Sequence, residues 1–452
     1  MPELLLKTAH SESFDKEGLH ALVKDVLHQA AALGATGAEV GVSVASGFNV
    51  MVRLGEVDTV EYNRDKGVGL TVFFDHRKGS ASSSDTSPAA IKAAVEKACH
   101  IARFTAEDPC AGLADKALMA TQIPDLDLYH PWAITTEEAI QLAKDCEATA
   151  LARDKRLNNS DGANVSTFQG YRVYGNSHGF IGGYAGSRHS ISCSLIAGQE
   201  GQMQRDYSYS VARDPEDLLS INDIAKEAAD RTLRRLAGHR LKTCQVPVLF
   251  EASIAGGLVS NFLAAIRGSQ LYRKSTFLLD KLHESVFAKG VHIYEDPYVL
   301  KGLGSAPFDD EGVRPQKRDL VRDGILEGYL LSSYSARKLG LQTTGNAGSS
   351  HNIYITQGND DFPALLKKMD KGLLVTELMG QGVNIVNGDY SRGASGFWVE
   401  NGEIQYPVEE ITIAGNLQDM FLTMVGVGTD VDRRSHIQSG SILLEQMTVA
   451  GH

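Results

Sequence analysis

The sequence predicts an α+β protein, with β-meanders flanked by helices in its first half and a β-rich, barrel- or sandwich-like domain behind them. Three observations lead there. The apolar period switches from helical spacing to strict alternation and back twice, giving the order helix, meander, helix, then the same again. Beyond residue 241 the chain is turn-rich, with Asp323-Gly324 and Asn401-Gly402 as hairpin signals between β-prone flanks. The length, 452 residues, exceeds what one ordinary core organises, so two or three domains are expected.

Residues 16–33 carry Leu19, Leu22, Val23, Val26, Leu27, Ala30 and Leu33 at helical spacing, and Gly34 stops the helix. From Ala38 to Ser84 the period becomes two. AEVGVSVA, FNVMVRL, VDTVEYN and GVGLTVFF read as strands parted by SG, GE and RDKG turns. Ser87 as N-cap and Pro88 at the first position open a second helix, with Ile91, Ala94, Val95, Ala98 and Ile101 on one face. Asp108–Pro131 is rich in Pro, Asp and Gly and has no period, so the first domain is set at 1–107.

The middle domain, 108–240, starts a helix at the capping box Thr135-Thr-Glu-Glu138. A meander over Arg156–Ser210 follows, and Asp214-Pro215 caps a helix running to about Leu236. The repeated order makes an internal duplication a candidate. The third domain, 241–452, opens with the buried strand VPVLFEAS and a helix from Ile254 to Ile266. Further helices are predicted around Thr276–Phe287 and Phe362–Met369. A region so rich in short strands is expected to expose strand edges and to associate through them.

Apolar residues at 42% and charged residues at 22% describe a globular protein, and no apolar stretch is long enough to span a bilayer. The net charge of −12 argues against nucleic-acid binding. The densest basic patch, Arg231–Arg235, sits at a helix end, where it complements the dipole. Five scattered cysteines without a CxxC suit reduced thiols, and MPELLLKTAHSESFDKEG is no signal peptide. Both point to the cytoplasm.

Four short motifs could carry chemistry. Gly175-Asn-Ser177-His-Gly179 matches the nucleophile elbow, but FIGGYAGSRHSISCSL after it reads as strand, so a hairpin turn is expected. Tyr334-Ser-Ala-Arg-Lys338 fits two dehydrogenase and penicillin-recognition patterns without the companions either needs, and reads as an amphipathic turn. His283-Glu284 begins like a zincin helix, but Phe287 stands at the second histidine position. Gly388–Gly393 is read as a glycine-framed loop whose Asp389, Tyr390, Ser391 and Arg392 could hold a peptide backbone or a terminal carboxylate.

One segment carries more than composition does. Thr376–Asn416 (TELMGQGVNIVNGDYSRGASGFWVENGEIQYPVEEITIAGN) resembles the C-terminal domain of the TldD/PmbA family of bacterial zinc peptidases, first described as modulators of DNA gyrase. GLTVFFDHRKGSASSSD (Gly69–Asp85), YRVYGNSHGFIGGY (Tyr171–Tyr184), YRKSTFLLD (Tyr272–Asp280) and SSYSARKLGL (Ser332–Leu341) extend the resemblance over nearly the whole chain, and point to the PmbA (TldE) branch. In the TldD branch a helix carries HExxxH, with two histidines holding zinc and the glutamate polarising a water. Here that helix reads IAGGLVSNFLAAIRG, with Ser260, Asn261 and Ala265 at the motif positions.

The resemblance therefore implies a chain with no catalytic or metal-binding residues of its own, whose TldD-like partner supplies the zinc. It also implies a cytoplasmic complex acting on unfolded peptides, in maturation of a microcin-type precursor and degradation of an antitoxin. Strand addition at a sheet edge would suit such substrates. The chain is expected to pair with a TldD-like subunit or with itself, and to bind neither nucleic acid nor membrane. The alternatives are a peptide-binding scaffold without peptidase role and a serine hydrolase using Ser177.

Overall fold

A computed structural model describes residues 14–198 and 202–451; most of the N-terminal run read for a targeting signal lies outside the described residues. Helix α1 (Lys16–Ala32) starts behind Asp15, whose carboxylate accepts the Gly18 amide. Strands β1 (Gly37–Arg53), β2 (Glu56–Phe74) and β3 (Arg77–Ser83) follow, and α2 (Pro88–Phe104) starts at the Ser87 cap. The second run is α3 (Thr136–Leu151), β4 (Leu157–Asn176), β5 (Ile181–Ala197), β6 (Gln204–Ala212) and α4 (Ile221–Arg234). At α3 both halves of the Thr135/Glu138 capping box are formed.

These two runs share one six-stranded antiparallel sheet, ordered β3-β2-β1-β4-β5-β6. The pairing of β1 with β4 joins them, so the connectivity repeats about the middle of the sheet. Each half has its own core. Leu19, Val23, Val40, Val72, Ile91 and Val95 pack under α1 and α2, while Val50, Val165, Leu195, Ala143 and Ala228 pack under α3 and α4.

The strands are longer and fewer than the turn residues predicted. Of the SG, GE and RDKG turns, only Gly55 with its neighbours reverses the chain, and β1 and β2 run straight through the other two. Gly47 serves a close approach instead: a Cβ there would stand 2.2 Å from the Thr167 carbonyl oxygen of β4. Asp214-Pro215 opens only a 3-10 turn, and α4 is capped later by the Ser220 hydroxyl.

The C-terminal region begins with β7 (Cys244–Phe250), α5 (Ala252–Ala265) and α6 (Gly268–Tyr272). Next come β8 (His292–Asp296), β9 (Arg318–Arg322), β10 (Ile325–Leu326), α7 (Ser333–Leu339), β11 (Asn352–Thr356) and α8 (Phe362–Met369). The chain ends with β12 (Gly372–Met379), β13 (Asp389–Glu400), β14 (Glu403–Asn416), α9 (Leu417–Leu422), β15 (Met424–Val427), β16 (Ile437–Gln438) and β17 (Ile442–Ala450). Both predicted hairpins form, β9–β10 at Asp323-Gly324 and β13–β14 at Asn401-Gly402.

Strands β14-β13-β12-β7-β17 pair in that order, and β14 also pairs with β17, which closes a five-stranded barrel. Alternate residues split between two cores. Leu249, Leu374, Phe397 and Leu443 meet α8, while Val248, Phe250, Leu373 and Ile442 join the large cluster around α5. Closure removes the free edges of this sheet, while a second, five-stranded sheet of the region, ordered β10-β9-β8-β11-β16, stays open. The long free edge lies in the first sheet, where β3 covers only Val68–Phe74 of β2.

Thr276–Phe287 forms turns and no helix. Its apolar period comes from Leu278, Val286 and Phe287 covering the large core, while positive φ at Asp280 and His283 breaks any helical run.

Candidate functional site

Helix α5 lies at the centre of the site. Its sequence, ASIAGGLVSNFLAA, is apolar almost all round, and Ala255, Leu258, Val259, Phe262, Leu263 and Ala265 are buried. Thr276 donates its hydroxyl to the Ala265 carbonyl oxygen at 2.8 Å, satisfying the last turn. The other face is lined by small and polar groups: Gly257 and Ser260 are exposed, and Ser253, Gly256 and Asn261 are half-buried.

The three positions matched to HExxxH do not fit a zinc ion. Ser260 and Asn261 offer a neutral hydroxyl and a neutral amide, and Ala265 offers no donor atom and faces the core. Among the described residues no group of three or more His, Cys, Asp or Glu is placed to hold a metal ion. His283 and Glu284 are exposed on the irregular segment before β8.

One turn before Ser260, α5 borders a cleft of about 370 Å³. Ser253, Ile254 and Gly257 form one wall, Asp206, Tyr207 and Tyr209 of β6 with Arg231 of α4 another, and Thr376, Glu377, Leu378, Arg392 and Arg434 the third. The cleft thus lies between the first sheet and the barrel, a usual place for a ligand.

An ion-pair network holds the walls together. Arg231 donates to Asp206 Oδ1 at 3.2 Å and to Glu251 Oε2 at 3.0 Å, and Arg234 donates to Glu251 Oε1 at 2.9 Å. Arg235 reaches Glu377 Oε2 at 2.5 Å and Asp206 Oδ2 at 3.6 Å. The predicted basic patch is therefore neutralised by acids from β6, the start of α5 and β12. Burial raises the Glu251 carboxyl, but Arg234 and Arg231 outweigh it and hold it below the ordinary range. Single-partner loss in such a network leaves an uncompensated, largely buried charge.

The Gly388–Gly393 segment is not a loop. Gly388 turns the chain at φ 83°, and β13 begins at once with Asp389. Strand alternation then separates the four candidate residues: Asp389 and Ser391 are exposed, Tyr390 is buried in the core, and Arg392 lines the cleft. Asp389 is taken up locally, accepting from Asn387 at 2.7 Å. Of the four, Arg392 reaches the site. Sequence reasoning missed Thr376, which a β-bulge between Val375 and Glu377 turns into the cleft.

The remaining motifs have structural work. Ser177 sits in the β4–β5 hairpin, where its hydroxyl oxygen accepts the Ala38 amide at 3.0 Å. Tyr334 and Lys338 on α7 both bind Asp108, at 2.8 and 3.0 Å.

Models of the PmbA/TldA metallopeptidase match this chain over residues 38–102 (domain 1), 129–236 (central domain) and 243–451 (C-terminal domain). The chain belongs to the TldD/PmbA family. Within it, the chain is 52% identical to Metalloprotease PmbA of Escherichia coli O157:H7 over 415 residues, covering 92% of each. A Metalloprotease PmbA homolog of Haemophilus influenzae is 50% identical over 416 residues, again 92% of each. The Metalloprotease TldD homolog of that organism is 24% identical over 376 residues, 78% of this chain and 77% of the relative. The sequence thus falls in the PmbA (TldE) branch.

Solved structures agree on the family fold. A protein from Bacteroides thetaiotaomicron described as a modulator of DNA gyrase superposes with a TM-score of 0.89 at 26% identity, covering 96% of this chain and 98% of that one. TldE from Thermococcus kodakarensis shares the fold, with a TM-score of 0.79 at 21% identity over 95% of this chain and 100% of that one.

Proposed function

We propose that this chain is the zinc-free, peptide-binding subunit of a cytoplasmic metallopeptidase whose TldD-like partner carries the HExxxH site. The observation behind this reading is helix α5 itself. It offers a hydroxyl, an amide and a buried methyl where the TldD branch places two zinc ligands and a base, yet it still borders an inter-domain cleft. The relatives' names, metalloprotease PmbA and metalloprotease TldD homolog, support peptidase activity for the family.

Unfolded peptides fit the surfaces available, microcin-type precursors and antitoxins being the substrates that the resemblance implies. No described strand pairs with the outer edge of β2 before Val68, and an extended strand could add there through backbone hydrogen bonds. The cleft beside α5 takes side chains or a terminus. A complex with a TldD-like subunit would then hold the peptide here and cut it at the partner's metal.

Mixing tests this. The pure chain should neither hold zinc nor cleave an unfolded peptide, and a TldD-like partner should form a complex with it that does both. Cleavage by the pure chain would overturn the proposal, as would failure to form the complex.

A further inference from the structure

We infer that the cleft between β6, α5 and β12 is a receptor for the C-terminal carboxylate of a peptide, with Arg392 as its anchoring cation. This rests on the peptide-binding reading above and names the part of the peptide that is read.

The charges around the cleft are nearly all spent. Arg231 is bound to Asp206 and Glu251, and Arg434 forks onto Asp432 at 2.8 and 3.1 Å with Glu227 behind it. The lining acids are taken too, Asp206 by Arg231 and Arg235 and Glu377 by Arg235. Arg392 forms no ion pair among the described residues. It donates a long hydrogen bond from Nε to the Met379 carbonyl oxygen at 3.4 Å, and the residue is half-buried at the wall. A guanidinium without a counter-ion, at a wall whose other charges are paired among the described residues, marks a place for an anion.

One hydroxyl of the cleft wall lacks a partner. Thr376 is 3% exposed, lines the cleft, and its Oγ1 has no hydrogen bond among the described residues. Tyr390, 2% exposed, lies on the same strand face as Arg392, behind the cleft wall. Burial pushes its hydroxyl up to about 12, and Arg392 opposes the rise by its charge and by a hydrogen bond, which leaves the charge of the guanidinium without a counter-ion. A buried donor without an acceptor is costly, and an incoming oxygen at Thr376 would satisfy it.

The class of anion follows from the number of free donors. A dianionic phosphate would sit beside Asp206 and Glu377 with a single free cation to balance it. A monoanionic carboxylate matches one guanidinium, which can hold both oxygens in a fork, with the Thr376 hydroxyl as a further donor. Tyr207, Tyr209, Ile254 and Leu378 then offer apolar surface to the last side chain.

Fluorescence anisotropy with an N-terminally labelled, unfolded peptide ending in Phe tests this on the full chain. Three forms are compared: the free acid, the C-terminal amide, and the amide carrying an internal Asp. The free acid should bind at least tenfold more tightly than either amide. Arg392→Ala should abolish that difference without changing the circular dichroism, Arg392→Lys should restore part of it, and Thr376→Val should reduce it. Equal binding of acid and plain amide would overturn the inference while leaving the peptide-binding reading intact. Binding of the internal-Asp amide as tight as the free acid would overturn the assignment to the terminus. Absence of binding by all three peptides would remove the peptide-binding reading and this inference together.

Discussion

Gly257 sits in the middle of α5 with nothing within 4 Å of the point where its Cβ would stand, and that point faces the cleft. Two substitutions there separate stability from binding. Gly257→Ala adds a methyl group without a clash and removes backbone freedom from the unfolded chain, which stabilises a helix interior by about 0.8–1 kcal/mol. For a domain the size of residues 243–451 that is a rise in melting temperature of about 2–4 °C. Gly257→Trp projects an indole into a cleft of about 370 Å³ and occupies the space beside Tyr209 and Arg392. Peptide affinity should fall at least tenfold, roughly 1.4 kcal/mol. Differential scanning fluorimetry and peptide anisotropy, run on the same preparations, give both values. A folded Trp variant that binds peptide with wild-type affinity would refute the cleft as the peptide site, and a lower melting point for the Ala variant would refute the open-space geometry.

Ser177→Ala should cost at most about 1 kcal/mol, because it removes one exposed acceptor for the Ala38 amide, and it should leave peptide hydrolysis by the complex unchanged. Loss of hydrolysis with folding and partner binding intact would revive the serine nucleophile. Two acids, half-buried Glu39 and buried Asp309, set a pH dependence where the first sheet meets the C-terminal region. Burial lifts Glu39, which accepts from the Tyr174 hydroxyl at 2.9 Å, from 4.5 to about 7, and lifts Asp309 from 3.8 to about 7. A folded-state value above the unfolded one means stability is fully present below about 4 and is lost as pH rises through 7. Thermal melts at pH 5 and pH 8 should therefore show a drop for the wild type and a smaller one for Glu39→Gln, which keeps an acceptor for Tyr174. Equal drops would contradict the assignment.

Local chemistry made much of this architecture readable in advance. Ser87-Pro88, the Thr135/Glu138 box and the Asp-Gly and Asn-Gly hairpins act within a few residues of themselves, and all formed where expected. What depended on distant partners did not show. Ser46-Gly47 looks like a turn, yet its glycine exists to let β4 pass close by. Thr276–Phe287 has a helical apolar period because it roofs a core, not because it winds.

The site divides in the same way. Arg392 could be named from its glycine-rich surroundings, but Asp389 and Ser391 point to the opposite, exposed face, because strand alternation decides and not proximity to glycine. Thr376 was hidden because a bulge turns it into the cleft, and bulges leave little trace in a single sequence. The RTLRR patch looked like dipole compensation. Its acidic partners come from β6, Glu251 and β12, which only the tertiary fold brings together.

Zinc content measured together with cleavage is the most direct test of the central claim. The pure chain, analysed by inductively coupled plasma mass spectrometry after exposure to zinc and desalting, should carry well below one zinc per chain and leave an unfolded peptide intact. After addition of a TldD-like subunit, the purified complex should contain zinc and cleave that peptide. One tightly held zinc per chain, or cleavage by the chain alone, would contradict the account.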